Sequence, residues 1–297
     1  MNHARTLGAM SREGDPNGAS RAPLRAVFFD FDDTLAETTL ADRVAYRECA
    51  IRMETVYGLS KKRQDEVIAA YKRRLAERPW NDEFAHVWTH RERLWAEAFG
   101  DDDRGLAMRH DVNSTFRDCR LEQLRLNSSV CGGIEKLRAK NVHVVIITNG
   151  HHVVQREKLA ACGIYEVVKL ENILVGGEEV LAGRDEKPEA SIFHEACKRV
   201  DVVPDEVMHV GDSWTADMVG AENAGLRWRV WVSQRPDDEK CESEQELSSS
   251  KRAKKVDAVP RVENIKEFFE LLDEWLDEDG TLPASNNLLK TRSRSER

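Results

Sequence analysis

The feature that most constrains the fold of this chain is an apolar segment, typical of a buried β-strand, that is followed directly by acidic residues. The segment Val27–Phe29 is apolar and β-prone, and carboxylates follow at Asp30, Asp32 and Asp33. Like charges at the end of a buried strand repel one another and resist desolvation, so a bound cation usually stabilises them. The chain leaving the strand can aim Asp30 and Asp32 at one point, which suits a carboxylate nucleophile beside a carboxylic acid on Mg²⁺. A charged turn is the alternative, but it is less typical of such a cluster.

Two later stretches supply groups that can hold a phosphate. The apolar run 142–147 predicts a second buried strand, and it ends in Thr148, Asn149 and a glycine. A helix is predicted next, so the Thr148 hydroxyl and the backbone N–H groups at the helix start could bind a phosphoryl group. Lys187 offers a point charge that can neutralise a phosphoryl group and a nearby carboxylate. Taken singly, such a strand end is often only a turn, and a lone Lys is usually solvated.

A third predicted strand also leads into acids. The run 207–211 predicts the strand, Asp212 follows it, and Asp217 lies about one turn further on. Because these stretches occur together and in one order, chance is a poor explanation for the set. We therefore interpret them as parts of a single site.

The four stretches resemble the motifs of the haloacid dehalogenase superfamily of phosphatases: DxDx(T/V), a strand that ends in Thr or Ser, a Lys, and GDxxxxD. The resemblance spans roughly residues 26–232. Within the superfamily, the sequence is most similar to the N-acylneuraminate-9-phosphatases. The segments that support this similarity are Thr148-Asn149-Gly150 with Gln155-Arg156-Glu157-Lys158, Val175-Gly176-Gly177-Glu178, Glu186-Lys187-Pro188 with Ser191-Ile192-Phe193, and Asn223-Ala224-Gly225-Leu226.

The resemblance implies a two-step mechanism and a Mg²⁺ cofactor. Asp30 would attack the phosphorus in line and form an aspartyl-phosphate. Asp32 would protonate the leaving alkoxide and then deprotonate the water that hydrolyses the intermediate. Mg²⁺ would be held by Asp30, by the backbone carbonyl of Asp32 and by Asp212. The second Asp distinguishes a phosphatase from a dehalogenase, whose halide leaving group needs no acid.

The resemblance also implies which residues bind the phosphate. Thr148, Asn149 and Lys187 would bind the transferring phosphoryl oxygens, where stabilisation of charge matters most. Asp217 would position Lys187 or a metal-bound water. The expected partner is a small-molecule phosphate ester, with N-acylneuraminate 9-phosphate as the expected substrate and sialic acid biosynthesis as the expected setting.

Three departures from the pattern concern the substrate rather than phosphoryl transfer. Asp33 stands where Asn is expected, Thr215 stands where an acid is expected, and the stretch 165–174 is longer than expected. Two alternatives therefore stay open. One is a related phosphatase that acts on a nucleoside monophosphate or another sugar phosphate. The other is a non-catalytic binding protein on the same scaffold.

Composition excludes several classes of protein. The net charge of −9 and the pI of about 5.6 argue against nucleic-acid binding, which requires a basic face. No apolar run is long enough to span a bilayer, and residues 1–22 lack the apolar centre of a secretory signal. The 6 cysteines show no CxxC spacing, which favours free thiols in a reducing compartment. We therefore expect a cytoplasmic protein without membrane partners.

Alternating strands and helices predict the fold class. This order is typical of an α/β fold with a doubly wound parallel sheet. The resemblance implies that the sheet belongs to a haloacid dehalogenase-like Rossmannoid core with an inserted α-helical cap domain. The site would lie at the carboxyl ends of the strands. Strands are predicted at 25–30, 142–148, 173–175, 207–211 and 228–232, and helices at 151–162, 188–200, 215–224 and 262–276.

Domain boundaries follow from the same reading. We expect a Rossmann-like core formed by 23–39 and 127–278, with a helical cap from 40–126 inserted between them. Polar or strongly charged composition predicts disorder in three segments. These are an N-terminal extension at 1–22, a loop at 235–255 and a tail at 279–297.

One helix face in the cap carries large side chains. Phe84, Trp88, Arg91 and Trp95 follow one another at spacings of four, three and four residues, so they share a face. We expect this face to pack within the core of the cap itself. A cap above the phosphate pocket is nevertheless where the leaving group would be selected.

Overall fold

The computed structural model describes residues 21–80, 86–100, 105–233, 259–283 and 288. Its centre is a six-stranded parallel sheet in the order β4-β3-β2-β5-β6-β7. This architecture confirms the predicted fold class. The strands are β2 (Ala26–Phe29), β3 (His143–Thr148), β4 (Ile173–Val175), β5 (Val207–Gly211), β6 (Trp228–Val232) and β7 (Arg261–Val262).

Strand β2 lies at the centre of the sheet because it is apolar on both faces. All four of its residues are 0 % exposed, as expected for a parallel strand covered on both sides. Phe29 pairs in register with Ile146 of β3 and with Val210 of β5. The backbone N–H of Asp30 continues the pairing to the carbonyl of Val210 at 2.9 Å. The predicted acids therefore begin where the central strand ends.

Helices cover both faces of the sheet. One face, which includes Val27 and Phe29, packs with α5, α6 and α10. The opposite face, which includes Ala26 and Phe28, packs with α8 and α9. The predicted helix 215–224 is a π-helix, Trp214–Val219, that continues into α9. The helices that follow residue 127 are α5 (Ser128–Ala139), α6 (His152–Cys162), α7 (Gly176–Leu181), α8 (Ala190–Arg199), α9 (Gly220–Asn223) and α10 (Ile265–Trp275).

Four helices between β2 and β3 form a separate apolar cluster. They are α1 (Thr38–Thr55), α2 (Lys61–Glu77), α3 (Val87–Phe99) and α4 (Gly105–Gln123). Trp95 belongs to this cluster, and its ring stacks on Tyr71 at 3.8 Å. Trp88, in contrast, packs against Val154 of α6, because it lies at the end of α3 nearest the sheet domain. Phe84 lies outside the described residues.

The chain ends of the described region form a small second sheet. Strand β1 (Arg21–Pro23) pairs antiparallel with β8 (Thr281–Pro283), although disorder was expected up to residue 22 and from residue 279. The Arg21 side chain supports the pairing, since it donates hydrogen bonds to the backbone carbonyls of Thr281 and Trp275 at 2.6 and 3.1 Å. Most of the three segments predicted to be disordered, namely 1–20, 235–255, 284–287 and 289–297, lies outside the described residues.

A membrane-spanning helix is not found among the residues that the structure describes. No described helix is both long and apolar enough to cross a bilayer.

Candidate active site

Three neighbouring strands deliver polar residues to one edge of the sheet. Asp30 follows β2, Thr148 ends β3 and Asp212 follows β5. Because β2 pairs with both of the other strands in parallel, their carboxyl ends meet at this edge. The loop before α8 adds Lys187, and the π-helix adds Asp217.

Lys187 holds two of these acids together. Its Nζ lies 2.6 Å from Asp30 Oδ1 and 2.7 Å from Asp217 Oδ1. The Lys187 side chain is only 1 % exposed. Burial acts to lower the pKa of Lys187, but the charges of Asp217 and Asp30 outweigh it and raise the pKa. Lys187 is therefore a fixed cation at the centre of the site.

The acids still exceed the positive charge that the described residues supply. Burial raises the pKa of Asp30 well above its ordinary value, although Lys187 opposes that shift. Burial, together with the charge of Asp217, raises the pKa of Asp212 to about 7. Carboxylate oxygens of Asp30, Asp212 and Asp217 lie within 4.8 Å of one another. A hard divalent cation such as Mg²⁺, which prefers oxygen ligands, fits this group.

Both oxygens of Asp217 already contact donors from the protein. Its Oδ1 accepts from Lys187 and lies 2.9 Å from His209 Nε2, and its Oδ2 accepts from the backbone N–H of Ser213 at 2.9 Å. Lys187 and His209 outweigh the effect of burial and lower the pKa of Asp217. Gly211 makes room for this carboxylate, since a Cβ there would lie 2.3 Å from Asp217 Cγ. These contacts leave Asp30 and Asp212 as the side chains best placed to hold a cation.

Asp32 points to a different set of partners. Lys158 Nζ lies 2.5 Å from both of its oxygens, Thr38 Oγ1 donates to Oδ1 at 2.6 Å, and Gln155 Nε2 donates to Oδ2 at 3.0 Å. Burial acts to raise the pKa of Asp32, but Lys158 outweighs it and the pKa falls to about 2. Asp32 is ionised in this arrangement, which is the form that accepts a proton.

The predicted phosphate-binding pair makes contacts of its own. Thr148 Oγ1 accepts a hydrogen bond from Gln155 Nε2 at 2.5 Å, so Gln155 bridges Thr148 and Asp32. The side-chain amide of Asn149 donates to the carbonyl of Lys187 at 2.6 Å and accepts from the Lys187 N–H at 3.0 Å. Asn149 therefore holds the Lys187 loop with its side chain.

Asp33, the first departure from the family pattern, accepts hydrogen bonds at the start of helix α1. Its backbone is in the left-handed region with φ of 56°. The carboxylate accepts from the Thr39 backbone N–H at 2.7 Å and from the Thr39 hydroxyl at 2.5 Å. Free N–H groups at a helix start favour such an acceptor.

Sequence reasoning missed four side chains of this network. The sequence analysis includes Gln155 and Lys158 only in a segment that resembles the N-acylneuraminate-9-phosphatases. It predicts no role for Thr38 or His209. Two signals could have identified some of them. His209 is a polar residue within a buried apolar strand, and Gln155 and Lys158 are three residues apart on one face of α6.

Comparison with known proteins gives the family. The model of the haloacid dehalogenase-like hydrolase family matches residues 24–225. The N-acylneuraminate-9-phosphatase of Rattus norvegicus is 33 % identical over 222 residues, which cover 73 % of this chain and 84 % of that protein. A glyceraldehyde 3-phosphate phosphatase of Methanothermobacter thermautotrophicus is 29 % identical over 203 residues, covering 68 % and 83 %.

A solved structure supports the same fold. The 2-haloacid dehalogenase of Pseudomonas syringae pv. Tomato aligns with a TM-score of 0.54 at 22 % identity, covering 85 % of this chain and 99 % of that chain. The predicted similarity to N-acylneuraminate-9-phosphatases is confirmed by the relatives above. Because the family model matches the chain from before β2 to beyond β5, the chain belongs to the haloacid dehalogenase-like hydrolases.

Proposed function

We propose that this chain is a Mg²⁺-dependent phosphatase that hydrolyses N-acylneuraminate 9-phosphate through an aspartyl-phosphate on Asp30. It is a phosphoric monoester hydrolase of the haloacid dehalogenase-like family. One observation carries the proposal: Asp30 directly follows the central strand, its Oδ1 lies 2.6 Å from Lys187 Nζ, and oxygens of Asp30, Asp212 and Asp217 lie within 4.8 Å of one another. A buried carboxylate beside a fixed cation and a cation-binding acid is what an in-line attack on phosphorus requires.

In the first step, a carboxylate oxygen of Asp30 attacks phosphorus and the bond from phosphorus to the leaving oxygen breaks. Lys187 supports the attack because its charge opposes protonation of Asp30 and would stabilise the phosphoryl oxygens. For this step Asp32 must first bind a proton from solvent, which it would then give to the leaving oxygen, so that the oxygen departs as an alcohol. The ionised Asp32 of the structure is the form that the second step needs.

In the second step, water hydrolyses the acyl phosphate. Asp32, now ionised, takes the proton from the attacking water, and the bond between phosphorus and Asp30 breaks. Lys158, Thr38 and Gln155 surround Asp32 in its ionised form, which favours this role as a base. Inorganic phosphate leaves and the Asp30 carboxylate is restored.

Two groups of residues would complete the site. The Thr148 hydroxyl and backbone N–H groups at the start of α6 would bind phosphoryl oxygens. Asp30, the backbone carbonyl of Asp32 and Asp212 would hold Mg²⁺, which neutralises charge on the phosphoryl oxygens when it is bound. Asp217 would position Lys187 rather than bind the metal, since protein donors already occupy both of its oxygens.

The substrate assignment rests on the relatives. N-acylneuraminate-9-phosphatases match over most of their own length, 84 % for the rat protein, and a role in sialic acid biosynthesis in the cytoplasm would follow. The described cysteines are free thiols, which supports a reducing compartment. The glyceraldehyde 3-phosphate phosphatases of archaea match at lower identity, so another small sugar phosphate is the second candidate.

A phosphate-release assay tests the proposal. Purified chain is incubated with MgCl₂ and a panel that includes N-acetylneuraminate 9-phosphate, glyceraldehyde 3-phosphate and nucleoside monophosphates, with Asp30→Asn as the blank. We expect the highest kcat/KM for N-acetylneuraminate 9-phosphate and loss of turnover in the variant. Turnover retained by Asp30→Asn would rule out the covalent mechanism. A folded chain that releases no phosphate from any ester would support the binding-protein alternative instead.

A further inference from the structure

Arg91 in α3 is a buried cation that forms no ion pair with the residues that the structure describes. Only 9 % of the residue is exposed, and its Nε has no hydrogen-bond partner in the described part of the chain. Its guanidinium lies 4.9 Å from the centroid of the Trp88 ring, and no ion pair joins it to any residue in the described ranges. A buried charge without a partner is costly, so such a side chain points to a partner that binds from outside.

The nearby carboxylates are already paired with other cations. Arg120 Nε lies 2.5 Å from Asp42 Oδ1, and Lys158 Nζ lies 2.5 Å from Asp32. Arg91, Arg120 and Lys158 all act electrostatically on Asp42. Three cations therefore face two carboxylates, and the group as a whole has an excess of positive charge that an anion would neutralise.

Helix α1 connects this group to the proposed acid. Thr38, in the first turn, donates its hydroxyl to Asp32. Asp42 comes four residues later, on the same face of the helix. The path from Asp32 through Asp42 thus leads into the cap, to Arg120 and Arg91. Because Asp32 is proposed to protonate the leaving oxygen, the far end of the leaving group would extend in this direction.

Neutral polar atoms beside Arg91 also lack partners. The Tyr71 hydroxyl and the Trp95 Nε1–H are buried without a hydrogen bond to any residue that the structure describes, and the two rings stack with an interplanar angle of 7°. Trp95 lies four residues after Arg91, on the same face of α3. A ligand with hydroxyl or amide groups beside an anionic group would satisfy these atoms.

We propose that Arg91 binds a carboxylate on the leaving alcohol, so that the chain selects phosphate monoesters of hydroxy acids over uncharged analogues. This inference rests on the proposed phosphatase function and adds a specificity-determining residue to it. A guanidinium presents parallel N–H donors that match the two oxygens of a carboxylate. The Trp88 ring would hold the guanidinium plane in place.

Matched substrate pairs separate the carboxylate from the rest of the leaving group. One pair is N-acetylneuraminate 9-phosphate and its methyl ester, and the other is 3-phosphoglycerate and glyceraldehyde 3-phosphate. We measure kcat/KM for each compound with the wild-type chain, with Arg91→Met and with Arg91→Lys. 4-Nitrophenyl phosphate, which has no carboxylate, reports the basal chemistry in every case.

Arg117→Met is the matched control. Its guanidinium also lies against the Trp88 ring, at 5.1 Å, but Arg117 has its own counter-charge in Glu157 at 2.6 Å. We expect Arg91→Met to lower kcat/KM for the preferred acid about 10- to 100-fold, as for a lost hydrogen bond to a charged group, with little change for its uncharged partner. Arg117→Met should change both members of a pair by the same factor, and Arg91→Lys should fall between wild type and Arg91→Met.

A second measurement needs no variant. Free N-acetylneuraminate should inhibit hydrolysis of 4-nitrophenyl phosphate by the wild-type chain at least about 10-fold more strongly than its methyl ester does. Equal inhibition by acid and ester, together with equal turnover within both substrate pairs, would overturn the inference and leave the phosphatase intact. An acid preference that survives in Arg91→Met would also overturn it. If 4-nitrophenyl phosphate and every other ester stay intact, the proposed function fails and the inference fails with it.

Discussion

Lys158 Nζ lies 2.5 Å from both carboxylate oxygens of Asp32. The two residues are 126 positions apart in the chain, and only the packing of α6 beside β2 brings them together. The contact joins the helix after the second motif to the residue proposed as acid and base. Lys158 is also almost fully buried, so the pair is part of the interior as well as of the site.

Replacement of Lys158 by Met should cost both stability and activity. Asp32 would lose its cation while remaining only one-third exposed at its side chain. We expect the free energy of unfolding to fall by about 2 kcal/mol, which is less than the roughly 3–5 kcal/mol for breaking a fully buried pair. We also expect kcat to fall more than about 10-fold, as Asp32 loses its position. Denaturant unfolding and steady-state kinetics measure the two effects.

Lys136→Met is the control for this prediction. Lys136 Nζ is also 2.5 Å from a carboxylate, that of Asp273, but the side chains of that pair are 63 % and 44 % exposed. An exposed pair contributes at most about 1 kcal/mol. Equal losses of stability in the two variants would contradict the importance that we assign to the buried pair.

Gly211→Ala should displace Asp217. A Cβ at this position would lie 2.3 Å from Asp217 Cγ, and the contacts to Lys187 and His209 prevent the carboxylate from moving freely. We expect a loss of about 1–3 kcal/mol in unfolding free energy from the steric conflict, and a fall in kcat because Lys187 moves with Asp217. Thermal unfolding and turnover are measured on the same preparation.

Gly132→Ala provides the same substitution without the conflict. Nothing lies within 4 Å of a Cβ at Gly132, and the residue is inside helix α5. We expect it to stabilise the chain by about 0.5–1 kcal/mol. Wild-type turnover in Gly211→Ala would show that the close approach to Asp217 is not needed.

Mg²⁺ should stabilise the folded chain through Asp30 and Asp212. Binding to the folded state alone adds about 1.4 kcal/mol when free Mg²⁺ is ten times its Kd. We expect Tm to rise with MgCl₂ relative to EDTA, and the rise to disappear in Asp212→Asn. The control variant is Asp205→Asn, which should keep the rise in Tm. The Asp205 carboxylate is 69 % exposed and is paired with Arg227. A full Mg²⁺ response in Asp212→Asn would remove Asp212 from the metal site.

Asp277 should make the stability of the chain depend on acidic pH. Burial acts to raise its pKa, but hydrogen bonds from Thr281 and the charge of Arg21 outweigh it and lower the pKa. A carboxyl whose pKa is lower in the folded state contributes stability above its unfolded pKa and loses it as pH falls through the folded pKa. The difference in unfolding free energy between wild type and Asp277→Asn should therefore be largest near neutral pH and shrink towards about pH 3. A difference that stays constant from pH 7 to pH 3 would contradict this linkage.

Much of the sheet could be predicted from the sequence. The runs that form β2, β3 and β5 are apolar at nearly every position, and only a parallel sheet covered on both faces needs that pattern. β7 was not predicted, since two residues are too few for a pattern. The pairing of β1 with β8 was missed for another reason: it joins segments 260 residues apart through the Arg21 side chain.

Part of the candidate site could likewise be predicted from the sequence, and part could not. Asp30, Asp212 and Thr148 come together because they end adjacent parallel strands, and that much follows from the order of the motifs. Lys187 and Asp217 join them as expected, while the roles assigned to all five stay predictions. The partners of Asp32 could not be predicted, because they depend on which face of α6 turns towards the loop after β2.

The sequence by itself therefore determined the strand order in the chain, the family and the acids at the strand ends, since these depend on local pattern and spacing. Only the tertiary structure decided that Lys158 binds Asp32, that His209 binds Asp217 and that Arg91 is buried without an ion pair among the described residues. Each of these facts depends on the distances between side chains that are remote in sequence, and no local pattern records such distances.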